Sequence, residues 1–213
     1  MKEELLKLDH FKSMGPDMVH PKMLASLGEI PEFVTALTTL YNKCFQDGAM
    51  PLIWKSANIT PTHKKDSTTD ASNYRPISLT SVICKLYEKF IIIFQYVNDK
   101  ISNKQHGFVP GKSCLSNLLE SVDIINEMLG DGEDVDVFYL DLQKAFDSVP
   151  HHRLLIKLES MDITNKTLSV ISDFLSDRTF NVRLYYYTTA SVSATHRVTS
   201  GVPQEDPYCL YYI

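Results

Sequence analysis

The sequence predicts an α+β protein, and three features lead there. Apolar residues recur at steps of three and four in several separate stretches, the period of amphipathic helices. A short run from Val135 to Asp141 is rich in β-branched and aromatic residues, as strands are. Two more extended segments, Asn181 to Tyr187 and His196 to Thr199, lie near the C-terminus and could pair as a hairpin. Helices are expected ahead of a sheet.

The elements can be taken in order. Pro31 suits a first helical turn, and Phe33, Val34, Leu37, Leu40, Tyr41, Cys44 and Phe45 then form one face until Gly48 and Pro51 stop the helix. A short extended piece from Asn58 to Thr62 follows, then a polar loop from Lys64 to Asn73. Ile83, Leu86, Tyr87, Phe90, Ile93, Phe94 and Val97 make a second helical stripe. Leu115, Leu118, Leu119, Val122, Ile125 and Leu129 make a third, opened by Ser113 and closed by Gly130. Both stripes are expected to pack into a core. After an Asp131-Gly132 turn, alternation in the Val135 to Asp141 run sets Val135, Val137, Tyr139 and Asp141 on one strand face. Further helices are expected over Pro150 to Ser160 and Asn165 to Ser176.

Composition narrows the function. With 213 residues, 44% hydrophobic and 22% charged, the chain has the balance of a folded globular protein. Its N-terminus begins with charge, and its most apolar run, Phe90 to Phe94, is too short to cross a bilayer. An intracellular protein of cytoplasm or nucleus, neither secreted nor membrane-bound, is expected. Cysteines 44, 84, 114 and 209 lack metal-ligand spacing and are expected to be reduced and structural. The net charge of −5 argues against nucleic-acid binding by the whole surface. From Lys55 to Lys89, however, six cations face three anions, so binding is expected to be local.

Asp141 closes an otherwise apolar run, which makes it either a rim residue or a ligand projected into a cleft. In Asp141-Leu142-Gln143-Lys144-Ala145-Phe146-Asp147-Ser148-Val149 an aromatic follows the carboxylate five residues on, and a second carboxylate follows that. Such a pattern suits the first metal motif of template-directed polymerases, in which two divalent ions serve an in-line phosphoryl transfer and need carboxylate oxygens on a stiff support. Asp147 reads as a weaker ligand than Asp141, or as an anchor of the turn. Phe146 could be core, Lys64 and Lys65 a solvated pair, and Gln105 and Gly107 shapers of the backbone. His151 and His152, after Pro150, read as surface or capping residues.

Six segments carry a broader resemblance: Lys12-Ser13-Met14-Gly15-Pro16-Asp17, Trp54 to Pro61, Asn73-Tyr74-Arg75-Pro76-Ile77-Ser78-Leu79, Gln105-His106-Gly107-Phe108, the block from Asp141 to Val149, and Ser200-Gly201-Val202-Pro203-Gln204. In this order and at these separations they resemble the reverse transcriptases of non-LTR (LINE-type) retrotransposons, over roughly Leu5 to Gln204. The resemblance implies a right-hand polymerase, with a helical N-terminal lead-in at 1–54, fingers at 55–130, a partial palm at 131–204, a divergent tail at 205–213 and no thumb. It implies an RNA template, a DNA primer, deoxynucleoside triphosphates and Mg²⁺. Asp141 would be the catalytic metal ligand, with the Leu142 carbonyl as a further oxygen. Arg75, with Lys64 or Lys65, would clamp the triphosphate; Phe146 would exclude a 2′ hydroxyl; Gln204 would lie near the incoming nucleotide.

The resemblance lapses at the end. Family members continue Pro-Gln-Gly-Ser and later carry an aromatic-Ala-Asp-Asp hairpin with the remaining carboxylates. Here Gln204 is followed by Glu205, Asp206 and Pro207, and the Asp-Asp motif does not appear. Truncation before that motif is therefore expected, with an incomplete metal site, an inactive chain, uncovered apolar surface at Tyr139 and Val182 to Tyr186, and an unstable or partner-dependent fold. A non-catalytic nucleic-acid-binding or interaction remnant is the alternative.

Overall fold

The computed structural model describes residues 1–91, 101–107, 109, 111–142, 145–186 and 189–203. It is an α+β structure. Along the chain, the helices are α1 (Lys2–Leu6), α2 (Pro21–Leu27), α3 (Pro31–Asp47), α4 (Val82–Phe90), α5 (Cys114–Gly130), α6 (His151–Ser160) and α7 (Asn165–Leu175). The strands are β1 (Ser56–His63), β2 (Tyr74–Thr80), β3 (Thr179–Tyr186), β4 (Thr189–Val192) and β5 (His196–Arg197). The sheet runs β2-β1-β3-β4, with β5 also on β3.

The first hairpin is antiparallel, with Ala57 opposite Thr80 and His63 opposite Tyr74. Its two prolines, Pro61 and Pro76, face one another. Neither has an N–H, and directly opposed residues in an antiparallel ladder either exchange both hydrogen bonds or none, so pairing the two prolines forfeits a single site. Pro76 hid this strand from sequence patterning. β1 then pairs in parallel with β3, Ser56 opposite Thr179 through Ile59 opposite Val182. The expected hairpin over Asn181 to Tyr187 and His196 to Thr199 forms differently. Arg183 to Tyr186 pair with β4, while His196 and Arg197 return only to Phe180 and Thr179. Between β4 and β5 the strand bulges at Ser193, whose N–H donates to the Val182 carbonyl and whose Oγ accepts from the Val182 N–H.

The core is built mainly by α3, α4, α6 and α7, with Met50, Trp54 and Val202 from the connecting segments. Tyr41, Trp54 and Tyr87 meet at its centre with ring centroids 5.0 to 5.9 Å apart, in tilted and edge-on arrangements. Around them Leu24, Leu86, Leu158, Val170 and Phe174 are buried. α3 starts at Pro31 and stops at Gly48, which is left-handed (φ 66°), as the sequence predicts. α4 is capped by Ser81, whose Oγ accepts from the Cys84 N–H. The part of its expected stripe at Ile93, Phe94 and Val97 lies outside the described residues. Cys44 and Cys84 are buried thiols outside any disulfide, and burial pushes the Cys44 thiol up. No helix among the described residues is long and apolar enough to cross a membrane.

Two expectations are overturned. Residues 133–142 form no strand, and Phe138, Tyr139 and Leu140 are 85–95% exposed. The run is apolar on both faces, so its propensity needs neighbours on both sides, and no described strand pairs with it. α5 is a helix with the expected bounds, yet it buries none of its residues. It is fixed at its N-terminus instead. Ser113 and Ser116 form a reciprocal capping box, and buried His106 bridges Ser116 Oγ at 2.8 Å and Glu120 Oε2 at 2.5 Å.

The two core tyrosines differ in one testable respect. Burial holds both phenols above the ordinary tyrosine range. Tyr41 donates its proton to the Ile83 carbonyl at 2.7 Å, whereas the Tyr87 hydroxyl is buried with no partner among the described residues. Tyr41→Phe should cost about 1–2 kcal/mol in urea unfolding, and Tyr87→Phe should be neutral or slightly stabilising.

Candidate nucleotide and nucleic-acid site

The loop between β1 and β2 is built by its own polar groups. The Lys64 N–H donates to the Asn73 carbonyl at 2.8 Å, Asn73 Nδ2 donates to the Ser67 carbonyl, and the Tyr74 hydroxyl donates to the Thr68 carbonyl. Asp70 accepts from the Ser72 N–H at 2.8 Å, and that bond holds its carboxyl below the usual range. Lys64 and Lys65 stand exposed at the start of this loop. Arg75 stands exposed on β2, opposite Thr62. Three cations predicted from the sequence thus share one end of one hairpin. The wider surplus from Lys55 to Lys89 is smaller on the surface than its count implies. Lys55 is buried against Asp173 at 2.8 Å, and Lys89 pairs with Glu4 at 3.5 Å.

A second cluster joins segments some fifty residues apart. The Gly201 N–H donates to the Val149 carbonyl at 2.9 Å, the Val202 N–H to the Phe146 carbonyl at 3.0 Å, and Ser200 Oγ to the Asp147 carbonyl at 3.0 Å. The turn at 200–202 is thereby laid on the turn at 145–149. Gly201 is required there. Its φ is 86°, and a Cβ would fall 2.8 Å from the Asp147 carbonyl oxygen. The Gly201 carbonyl in turn accepts from His151 Nε2 at 2.8 Å and from Arg178 at 3.3 Å. Arg178 is buried and lies over the Phe174 ring at 5.0 Å.

This cluster corrects two readings. His151 is half-buried and its ring donates to the glycine turn, a contact the surface or capping reading did not include, while His152 is exposed. Asp147 holds the turn through its backbone carbonyl rather than by a capping carboxylate, which is exposed. Phe146 is half-buried and packs against the core beside Val202. Arg178 was missed, since an arginine between a helix and a strand carries no signal without the turn it serves.

Asp141 and Leu142 lie in the exposed segment just before this cluster, with Leu142 74% exposed. Among the described residues no group of three or more histidine, cysteine or acidic side chains could hold a metal ion. Hard divalent ions need several oxygen ligands, and the described residues around Asp141 do not by themselves assemble such a set. Gln204 lies outside the described residues.

A cationic hairpin end and a pair of interlocked turns are thus carried on one α+β scaffold. Residues 62–204 match the family described as reverse transcriptase (RNA-dependent DNA polymerase), and the chain belongs to that family. It is similar to the RNA-directed DNA polymerase from mobile element jockey of Drosophila melanogaster, 30% identical over 209 residues, covering 96% of this chain and 22% of that protein. It is likewise similar to the probable RNA-directed DNA polymerase from transposon BS of the same fly, 30% identical over 210 residues, covering 95% of this chain and 22% of that one. A Pol polyprotein from the type-1 retrotransposable element R2 of Popillia japonica is 26% identical over 160 residues, 75% of this chain and 22% of its own length. The chain thus spans about a fifth of these relatives. It is a reverse transcriptase domain of the non-LTR retrotransposon kind.

The glycine turn gives a direct test of the cluster. Gly201→Ala should destabilise by about 2–4 kcal/mol, combining a left-handed backbone with a clash against the Asp147 backbone. His151→Ala should cost only about 1 kcal/mol. Thermal unfolding of both variants beside the parent measures the difference.

Proposed function

We propose that this chain is the part of an RNA-directed DNA polymerase that grips the incoming nucleotide and the template. Under this reading residues 1–54 are a helical lead-in, 55–130 the fingers and 131–204 part of the palm, in a right-hand layout. The observation that carries the reading is the hairpin end with Lys64, Lys65 and Arg75 exposed on a rigid, hydrogen-bonded turn. Lysine ammonium and arginine guanidinium groups suit the dispersed charge of a triphosphate, and Arg75 can engage two oxygens at once.

Asp141, with the Leu142 carbonyl, is the proposed metal ligand pair, and Gln204 the residue nearest the incoming base. When bound, Mg²⁺ would neutralise phosphate charge during transfer. Phe146, fixed under Val202, is the proposed wall against a 2′ hydroxyl. RNA template, DNA primer, deoxynucleoside triphosphates and an intracellular setting in cytoplasm or nucleus belong to the same proposal. A non-catalytic binding role for this chain on its own is the second reading, favoured by the exposure of Asp141 and by the lack of a ligand cluster among the described residues.

Two outcomes follow. Primer extension on an RNA template with Mg²⁺ should give no incorporation by this chain alone. Synthesis that disappears in Asp141→Ala would instead show a working metal centre. Binding of an RNA–DNA primer-template should weaken with salt, and Arg75→Ala should weaken it about tenfold while reducing the log–log salt slope by about 0.7–1. No detectable binding at low salt would remove the reading.

A further inference from the structure

Residues 11–20 cross one face of the sheet and enclose with it a half-open cavity of ≈ 590 Å³. The cover is held in place by the sequence beneath it. Gly15 lies so close to β2 that a Cβ would stand 2.5 Å from the Thr80 carbonyl oxygen. Asp17 accepts from Ser81 Oγ at 2.5 Å, and that same oxygen caps α4. The cavity is therefore pre-formed rather than a gap under a loose loop.

Its lining is unusual for a chain of net charge −5. Lys12 and Arg183 line it, and among the described residues no aspartate or glutamate does. Strand alternation sets Asn58, Thr60 and Thr62 along its floor, and Arg183 follows one step after the Ile59–Val182 pair, next to Thr60. Arg183 Nε and Thr60 Oγ1 are buried and have no hydrogen-bond partner among the described residues. Two adjacent donors without an acceptor, one of them on a guanidinium, are costly unless a further group completes them. An oxyanion would serve both. At the rim stand two aromatics in open solvent, Phe11 at 98% and Tyr185 at 63% exposure. Cations flanked by exposed rings are the combination that grips a single strand of nucleic acid, charge on the backbone and rings on the bases. Arg75, opposite Thr62, continues the same sheet face, so the cavity and the cationic hairpin lie along one track.

We propose that this cavity seats one phosphate of a single-stranded nucleic acid between Arg183, Thr60 and Lys12, with neighbouring bases stacked on Tyr185 and Phe11. The proposal rests on the nucleic-acid reading given above and adds to it a second anchoring point, further along the same face of the sheet.

The test is fluorescence anisotropy of the full chain with a short labelled oligouridylate over a range of KCl concentrations. Arg183→Met should weaken binding about tenfold and lower the log–log salt slope by about 0.7, the signature of one lost phosphate contact on a single strand. Lys12→Met, in an exposed loop where folding is not at stake, should shift both quantities in the same direction. Tyr185→Ala should weaken binding about tenfold with the salt slope unchanged, since stacking releases no counterions. Should Arg183→Met fail to fold, as judged by circular dichroism, the Lys12 and Tyr185 variants decide. Unchanged affinity and slope in the Lys12 and Arg183 variants, with Arg75→Ala still weakening binding, would overturn this site and leave the proposed function standing. Failure of the parent chain to bind at all would remove both. An Arg183 dependence seen for inorganic phosphate but not for the oligouridylate would mark a small-anion site and also overturn the proposal.

Discussion

The parallel pairing of β1 with β3 is the constraint on which the rest of the structure depends. It joins segments more than a hundred residues apart, and it is fixed at its base by the buried Lys55. That ammonium meets Asp173 Oδ1 at 2.8 Å, while Asp173 Oδ2 accepts from the Met50 N–H at 2.7 Å. One carboxylate on α7 thus positions both the entry to β1 and the chain that leads into it. Ser56 and Thr179 add a hydroxyl pair at the first rung, and Lys166 donates to the Gln46 carbonyl at the end of α3. A paired and hydrogen-bonded buried charge does not add much net stability, but leaving one of its members alone is expensive. The pair therefore sets register more than it adds strength.

Much of the site follows from that register. With β1 fixed against β3, the hairpin brings Arg75 and Lys64 to one end of the sheet, while β3 carries Arg183 and Tyr185 along the same face as Thr60 and Thr62. The glycine turn at 200–202 is held from the other side, by His151 at the start of α6 and by Arg178 just ahead of β3. The groups proposed to grip phosphate are in this way carried by strands and their ends, whose positions the core dictates. The carboxylate proposed as a metal ligand is not: Asp141 stands on an exposed segment that no described strand supports.

The helices were legible in the sequence because each carries its own boundary chemistry. Pro31 and Gly48 delimit α3, Ser113 opens α5, and Pro150 precedes α6. Strands were less legible because their stability lives in partners. β2 contains Pro76 and reads poorly as a strand, yet forms because β1 offers a matching Pro61. Val135 to Asp141 reads well and forms none, for want of a neighbour. The same gap explains α5, where an apolar stripe predicted burial and the structure leaves Leu115, Leu118 and Leu119 more than half exposed. The cations that the sequence singled out, Arg75, Lys64 and Lys65, stand exposed at one hairpin end. The contacts of His151, Arg178 and Arg183 could not be read from the sequence, since they depend on backbone carbonyls and cavity walls that only the fold brings near.

The claim that one buried ion pair registers the two halves of the sheet is tested most directly by comparing Lys55→Met with Asp173→Ala in equilibrium urea unfolding. Lys55 is 5% exposed and Asp173 26% at the side chain, so the loss of the carboxylate strands the more deeply buried charge. The account predicts one cooperative transition in each variant, with Asp173→Ala destabilised by about 3–5 kcal/mol and Lys55→Met by clearly less. Equal and negligible shifts, or a parent chain that unfolds in two separate steps, would contradict it.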